Sequence, residues 1–257
     1  MGIRLPPGFS LHRFDELDST NSEALRFAAS GAPGGTWIVA RRQCHGKGRA
    51  GRNWQSEPGN LFASLIWRPQ CTAAAAPGLS LLAGVAAYGG IETATGGRLR
   101  HPALALKWPN DLLLNGGKAG GILLESSGIA GRADYAIIIG IGLNVARPPE
   151  GLDRATACLA TPEHPLDVTH LFATLAGKMA HWLALWRDGE NFATIRTEWL
   201  TLANGYGKPV TVHLNGSLIE GVFLGIDDSG ALRLGSPGSG APERRITAGD
   251  VVFQSGL

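Results

Sequence analysis

Hydrophobic and polar residues change their spacing several times along this chain, and each change marks an element. "TWIVA", Thr36 to Ala40, and "LFASLIW", Leu61 to Trp67, are β-branched, aromatic and alternating, and predict strands. "DSTNSEALRFAASG" predicts a helix from Asn21 to Ser30, with Thr20 as N-cap, Glu23 as its capping-box partner and Gly31 as the stop. "LSLLAGVAAYGGIETA" predicts a second helix built largely of small residues. "LALKW", Leu104 to Trp108, reads as a strand ending at Pro109. "LLL", "NGG" and "KAGGILLE" then read as a hairpin, because Asn115 and Gly116 accept positive φ in a tight turn. "YAIIIGIGLNV", Tyr135 to Val145, predicts a long buried strand. From Leu171 to Trp186 the residues Leu171, Leu175, Met179, Trp182, Leu183 and Trp186 share one helical face and predict core packing.

These elements lack the regular strand–helix alternation of a parallel sheet. The expected fold class is α+β, with a mixed, mostly antiparallel sheet flanked by helices. After "NGYGK" the texture changes to "PVTVHL", "LIEGVFLGI", "ALRLG" and "RRITAGDVVF", separated by turn residues. Five short strands in so few residues predict a small SH3-like β-barrel from about Gly207 onward. The expected division is residues 1–204 and 205–257. "CTAAAAPG" and "GSPGSGAP" read as surface connections.

With 257 residues, 44% of them hydrophobic and 17% charged, the composition is that of a globular chain, and no apolar run has the length of a membrane span. The start, "MGIRLPPGFSLHRF", lacks the apolar segment of a secretory signal. Cys44, Cys71 and Cys158 are isolated and suggest neither a disulfide framework nor a zinc site, so a reducing cytoplasm is the expected setting. A net charge of +2 argues against bulk binding of nucleic acid.

Against that balance one segment stands out. Residues 41 to 52 hold Arg41, Arg42, Lys47, Arg49 and Arg52 with no acid, and Gly46, Gly48 and Gly51 are spaced G-x-G-x-x-G. A dinucleotide-binding turn needs a helix directly after the glycines and an acidic residue about 20 positions on. Here the turn-rich "NWQSEPGN" and a strand follow, and no Asp or Glu occurs between Glu57 and Glu92. A cationic glycine loop suits an anion instead, and a solvated basic loop is the alternative. Ser19 and Thr20 fall at a helix N-terminus, where free N–H groups serve either a polar ligand or simple capping. In "KWPND" the proline places Asn110 and Asp111 at a strand end beside Lys107, and the hairpin brings Lys118 back toward Asp111. Such a group suits a metal-bound triphosphate next to a substrate carboxylate, or is an ordinary set of charge pairs on a hairpin.

Taken together, "DSTN" (18 to 21), "RRQCHGKGRAGRNWQS" (41 to 56), "KWPNDLLLNGGKAGGILLE" (107 to 125) and "GIGLNV" (140 to 145) resemble the signature blocks of the biotin protein ligases, in order and spacing. The resemblance covers roughly residues 10 to 255. It implies a catalytic domain related to class II aminoacyl-tRNA synthetases and lipoate ligases. It also implies a two-step reaction, in which ATP and biotin give biotinyl-5′-AMP and a lysine of a biotin carboxyl carrier protein, from acetyl-CoA carboxylase or a related carboxylase, then takes the biotinyl group. Mg²⁺ is expected with ATP, and neither nucleic acid nor membrane is an expected partner.

Carried over by position, Ser19, Thr20, Asn21 and Gln43 resemble the residues around the biotin head, with Lys47 against it and Gly121 packed close. Gly46, Gly48, Arg49 and Arg52 resemble the phosphate loop, which is expected to be a lid that stands open or mobile without ligand because "HGKGRAG" has few apolar anchors. Trp54 resembles the aromatic covering the nucleotide, and Asn144 the residue reading adenine. Lys118 resembles the lysine between carboxylate and α-phosphate. Lys107, Asn110 and Asp111 lie near the phosphates, with Asp111 deprotonating or orienting the acceptor lysine. Lys118, Arg49 and Asp111 are thus the expected catalytic residues. Two departures matter. Position 47 is Lys where the family commonly has Arg, which loses a planar fork. The chain also starts almost at the catalytic domain, so no operator binding is expected. The rival functions are a lipoate or octanoate ligase, disfavoured by the polar groups at Ser19, Thr20 and Gln43, and a non-catalytic module that binds biotinyl-AMP.

Overall fold

The computed structural model describes residues 3–69, 76–128, 135–214, 216–235 and 242–253. Seven strands form the main sheet: β1 (Ser10–Leu17), β2 (Thr36–Gln43), β3 (Leu61–Trp67), β4 (Leu104–Lys107), β5 (Asp111–Leu114), β6 (Gly117–Ser127) and β7 (Ala136–Leu143). Their spatial order is β1-β2-β3-β7-β6-β5-β4. Only β1 and β2 pair parallel, and every other neighbouring pair in this sheet is antiparallel. The sheet is therefore mixed and mostly antiparallel, as its sequence pattern predicts.

Period-two alternation explains how the sheet is covered. On β7, Ile137, Ile139 and Ile141 face the larger core with α2 (Ala76–Ala94) and α3 (Val168–Trp186), while Ala136 and Ile138 join Ala24 and Ala28 of α1 (Thr20–Ala29). Burial on both faces accounts for the near-continuous apolar sequences of β3 and β7. In α3, Leu171, Leu175, Met179, Leu183 and Trp186 are buried as the helical periodicity predicts, and Trp182 is only partly covered. The hairpin β5–β6 turns at Asn115 (φ 50°) and Gly116 (φ 81°), the left-handed values their residue types allow.

Two elements escape the sequence pattern. β1 spaces its apolar residues Leu11, Phe14 and Leu17 three apart, without strand alternation, and forms an edge strand with little burial, and α4 (Phe192–Thr201) carries a short apolar face through Ile195 and Trp199. A third difference is one of register. Ser19, not Thr20, is the N-cap of α1, and its side chain accepts from the Ser22 N–H. Glu23 forms no capping box, because its carboxylate pairs with Arg26. Thr20 is drawn inward by hydrogen bonds to the core, so the cap moves back one residue.

Five strands form the second sheet: β8 (Pro209–Leu214), β9 (Ser217–Ile226), β10 (Leu232–Gly235), β11 (Arg244–Ile246) and β12 (Asp250–Phe253), in the order β11-β10-β9-β8-β12 and wholly antiparallel. This is the SH3-like unit. Its inner face packs on α4, with Phe223 edge-on to Trp199, and the apolar core runs unbroken from one sheet to the other. Trp108 Nε1 donates to Gly230 O at 3.0 Å, and Arg196 pairs with Asp228. The two biased connections fall mostly, and Cys71 wholly, outside the described residues. Among the described residues no helix is long and apolar enough to cross a membrane.

Helices α2 and α3 meet closely at Gly90, where a Cβ would stand 2.8 Å from the Leu175 backbone. Both backbones are held by their own helices, so Gly90→Val is expected to destabilise the protein by about 1–3 kcal/mol. Urea unfolding checks this as a fall in midpoint at constant slope.

Candidate active site

The site begins where α1 stops covering β7. Beyond Ile138 the next residues on that face are Gly140 and Gly142. A Cβ at Gly140 would collide with Asn21 Oδ1, and one at Gly142 would stand 2.7 Å from the Trp54 ring. Gly121 pairs with Gly142 across β6, and its Cβ position lies 3.4 Å from both Lys118 and Trp54. Three glycines thus leave a bare patch of sheet at the N-terminus of α1, and a cavity of about 310 Å³ opens above it.

One end of this cleft is neutral and polar. The Thr20 N–H donates to Gln43 Oε1 at 2.7 Å, and Gln43 Nε2 donates to Ser56 Oγ at 2.8 Å. Asn21 Nδ2 donates to Glu125 Oε2 at 2.8 Å, and Lys47 Nζ lies 3.6 Å from the other oxygen of Glu125. Asp18 accepts from the Ser19 N–H at 2.7 Å and pairs with Arg26, whose hydrogen bond holds the Asp18 carboxyl below the usual carboxylate range. The whole "DSTN" segment is pinned at the start of α1, with Ser19, Thr20 and Asn21 lining the cleft.

The other end is charged. Lys118 Nζ pairs closely with Asp111 Oδ1, Lys107 Nζ stands 3.9 Å from Asp111 Oδ2, and the Trp54 ring centre is 5.5 Å from the Lys118 ammonium. Burial pushes the Lys118 pKa down, because a desolvated ammonium is costly, while Asp111 works in the opposite direction. Asn110 Oδ1 accepts from Arg49 Nη1 at 2.9 Å, and its amide donates to Ile122 O at 2.7 Å. In all, Lys47, Arg49, Arg52, Lys107, Lys118 and Arg154 line the cleft against two carboxylates, Asp111 and Asp250. This is a receptacle for a polyanion.

The glycine loop is closed over the cleft, contrary to the open lid its composition suggests. Trp54 N donates to Gly46 O at 2.9 Å and Gly48 N to Arg52 O at 2.7 Å, with the turn made at Ala50 (φ 54°) and Gly51 (φ 71°). Gly46 is needed for close approach, since a Cβ there would strike the Trp54 carbonyl. The anchors are ionic rather than apolar. Arg52 lies 3.1 Å and Arg49 3.7 Å from Asp250 of β12.

Of the expected site residues, the structure gathers Ser19, Thr20, Asn21, Gln43, Lys47, Gly48, Arg49, Arg52, Trp54, Lys107, Asn110, Asp111, Lys118 and Gly121 around one cleft. Gly46 stands behind it. Asn144, whose amide donates to Lys118 O at 3.1 Å, lines a smaller depression on the far side of Trp54. Sequence reading passed over Ser64, Glu125, Arg154, His213 and Asp250. Ser64 had a signal, a lone hydroxyl in the apolar run "LFASLIW", whereas His213 and Asp250 belong to a barrel that only the fold brings to the cleft. Cys44 is exposed and its thiol donates to Leu17 O, and Cys158 is a half-buried thiol.

A mixed sheet with a glycine-floored, cationic cleft and an appended SH3-like unit defines a class of acyl-activating ligases. The model of the biotin/lipoate A/B protein ligase family matches residues 14–144, and that of the biotin protein ligase C-terminal domain matches residues 205–254. The chain belongs to this family. It is 42% identical over 92% of its length to the biotin–[acetyl-CoA-carboxylase] ligase of Paracoccus denitrificans, 97% of which is covered. It is also similar to the biotin protein ligase of Aquifex aeolicus solved with biotin and ATP, with a TM-score of 0.78, 25% identity and coverage of 95% and 97% of the two chains. The Leishmania major biotin protein ligase solved with biotinyl-5-AMP is similar at a TM-score of 0.66, 25% identity and coverage of 98% and 100%.

Partly exposed ion pairs contribute on the order of 0.2–1 kcal/mol each. Removing the Asp250 carboxylate is therefore expected to raise the open population of the loop, and Asp250→Ala to speed tryptic cleavage after Arg49 and Arg52 by roughly two- to fivefold. An unchanged cleavage rate would mean that these pairs do not hold the loop.

Proposed function

We propose that this protein is an ATP-dependent biotin protein ligase, which makes biotinyl-5′-AMP and passes biotin to one lysine of a biotin carboxyl carrier protein. The observation that carries the proposal is the division of one cleft into a neutral hydrogen-bonding end and a cationic end, joined at Lys118. The cationic end matches a triphosphate. The neutral end, lined by Ser19, Thr20, Asn21 and Gln43, matches a ureido ring better than the extended hydrocarbon of a lipoyl or octanoyl group.

In the first step a biotin carboxylate oxygen attacks the α-phosphorus of ATP, and the bond to pyrophosphate breaks. Two anions must approach, so the ammonium of Lys118 between them offsets both their repulsion and the charge that develops. Arg49 and Arg52 exchange Asp250 for phosphate oxygens, and the closed loop keeps water from the acyl phosphate. Trp54 covers the nucleotide, with Asn144 near adenine. In the second step the amine of the carrier lysine attacks the biotinyl carbonyl and AMP leaves. Asp111 already accepts from Lys118 and faces Lys107, which suits it to orienting these cations and the incoming amine more than to removing a proton. Mg²⁺ would enter with ATP and neutralise phosphate charge. Asp111, the carboxylate beside Lys107 and Lys118, would help hold such an ion. The boundary between the catalytic domain and the barrel falls in this reading at residues 204–205, and an ATP-consuming reaction fits the cytoplasm.

Pyrophosphate release from ATP is expected with biotin and not with lipoate, followed by covalent label on a carrier domain. Lys118→Ala is expected to slow release by about 10²-fold or more, the usual cost of removing one preorganised charge. Release with lipoate alone would move the assignment to the sister activity.

The depressed pKa of Lys118 predicts an alkaline limit. Adenylate formation needs the charged ammonium, so the rate falls as pH rises through a value below 10.5, the ordinary lysine pKa. Asp111→Asn removes the partner that opposes the shift, and the descending limb of the pH–rate profile is expected to move to lower pH.

A further inference from the structure

Ser64 is fully buried at the centre of β3, a hydroxyl among apolar neighbours, and no step above uses it. Its oxygen lies 2.8 Å from Thr20 Oγ1 and 2.6 Å from Asn21 Oδ1. Glu125 on β6 accepts from Asn21 Nδ2 at 2.8 Å. Counting protons along this chain gives it a direction. A carboxylate only accepts, so the Asn21 amide must turn its nitrogen to Glu125 and its oxygen to Ser64. An amide oxygen cannot donate, so the single Ser64 proton goes to Asn21. The Ser64 oxygen must then receive the Thr20 proton, since the two hydroxyl oxygens are too close to stand without one between them. Gln43 is oriented by the Thr20 N–H on its oxygen and by Ser56 on its nitrogen; that oxygen also lies 3.1 Å from Thr20 Oγ1, a longer contact than the 2.8 Å to Ser64, which takes the Thr20 proton.

We infer that Ser64 and Glu125 are positioning residues that set the donor–acceptor polarity of the biotin end of the cleft, and so its preference for a cyclic urea. This rests on the ligase reading above. With its proton committed inward, Thr20 presents lone pairs to the cleft. Gln43 Nε2 keeps a second N–H, and the Ser19 hydroxyl, whose oxygen accepts from the Ser22 N–H, keeps its proton. One acceptor beside two donors matches the ring N–H and carbonyl of a urea. The anchor is Glu125, because its charge forbids the reversed orientation. Lys47, 3.6 Å away, holds that charge in place.

The test compares Ser64→Ala and Glu125→Gln with the wild type for biotin, for 2-iminobiotin, whose ureido oxygen is replaced by a nitrogen donor, and for ATP, in the pyrophosphate assay with thermal unfolding alongside. Ser64→Ala removes one buried oxygen, and Glu125→Gln keeps the shape while letting the amides reverse. The KM for biotin is expected to rise roughly 10- to 100-fold in both, the usual cost of a misdirected buried hydrogen bond. The KM for ATP stays within about twofold, and the preference for biotin over 2-iminobiotin shrinks at least about fivefold, a ratio that general loosening does not change. An unchanged biotin KM, or biotin, 2-iminobiotin and ATP weakened together with a lower melting temperature, would overturn the inference. A wild type without biotin-dependent pyrophosphate release would instead sink the ligase reading, so the two failures are distinguishable.

Discussion

The site exists because two alternate residues of β7 lack a Cβ. Ala136 and Ile138 bury the strand under α1, and with side chains at Gly140 and Gly142 the same face would continue as core. Their absence lets Asn21 and Trp54 descend onto the backbone and leaves a cleft between them. Everything polar stands in that gap. α1 begins beside it with Ser19, Thr20 and Asn21, and "KWPND" and the β5–β6 hairpin bring Lys107, Asp111 and Lys118 to its far side. The walls of this gap are set by the closely packed core beneath it, so strand, helix and loop hold their places around a bound molecule.

Charge is distributed in the cleft by a second constraint, the cost of burying cations without partners. Lys118 is desolvated by Trp54 and the sheet, and stays chargeable because Asp111 lies against it. Arg49 and Arg52 meet Asp250, a carboxylate that comes from the barrel and not from the catalytic sheet. The barrel is thus a wall of the site as well as an appendage. Its turn at Gly230 accepts from Trp108, the residue next to Lys107, so the position of the barrel and that of the phosphate end share one contact.

Much of this was legible beforehand. The β5–β6 turn could be read from "NGG", the mixed sheet from strands without βαβ alternation, and the α3 core face from its helical spacing, because each follows from local stereochemistry or periodicity. Fourteen of the candidate residues meet in one cleft because they lie in three short blocks, each carried to the site by a single turn or strand end. The N-cap of α1 was misread by one residue because Ser19 and Thr20 are both good caps. Only the buried partners Ser64 and Gln43 decide which hydroxyl turns inward.

By itself, then, the sequence determined the elements, the cationic loop and the residue types of the site, since propensity, alternation and charge are properties of neighbours along a chain. Tertiary structure alone decided the closure of the loop, which depends on Asp250 two hundred residues downstream, roughly four-fifths of the chain away. It alone decided the pairing of Glu125 with Asn21, and the direction of the hydrogen bonds through Ser64. These are contacts between distant segments, and a single buried oxygen reveals what it does only when the atoms it must satisfy are in place around it.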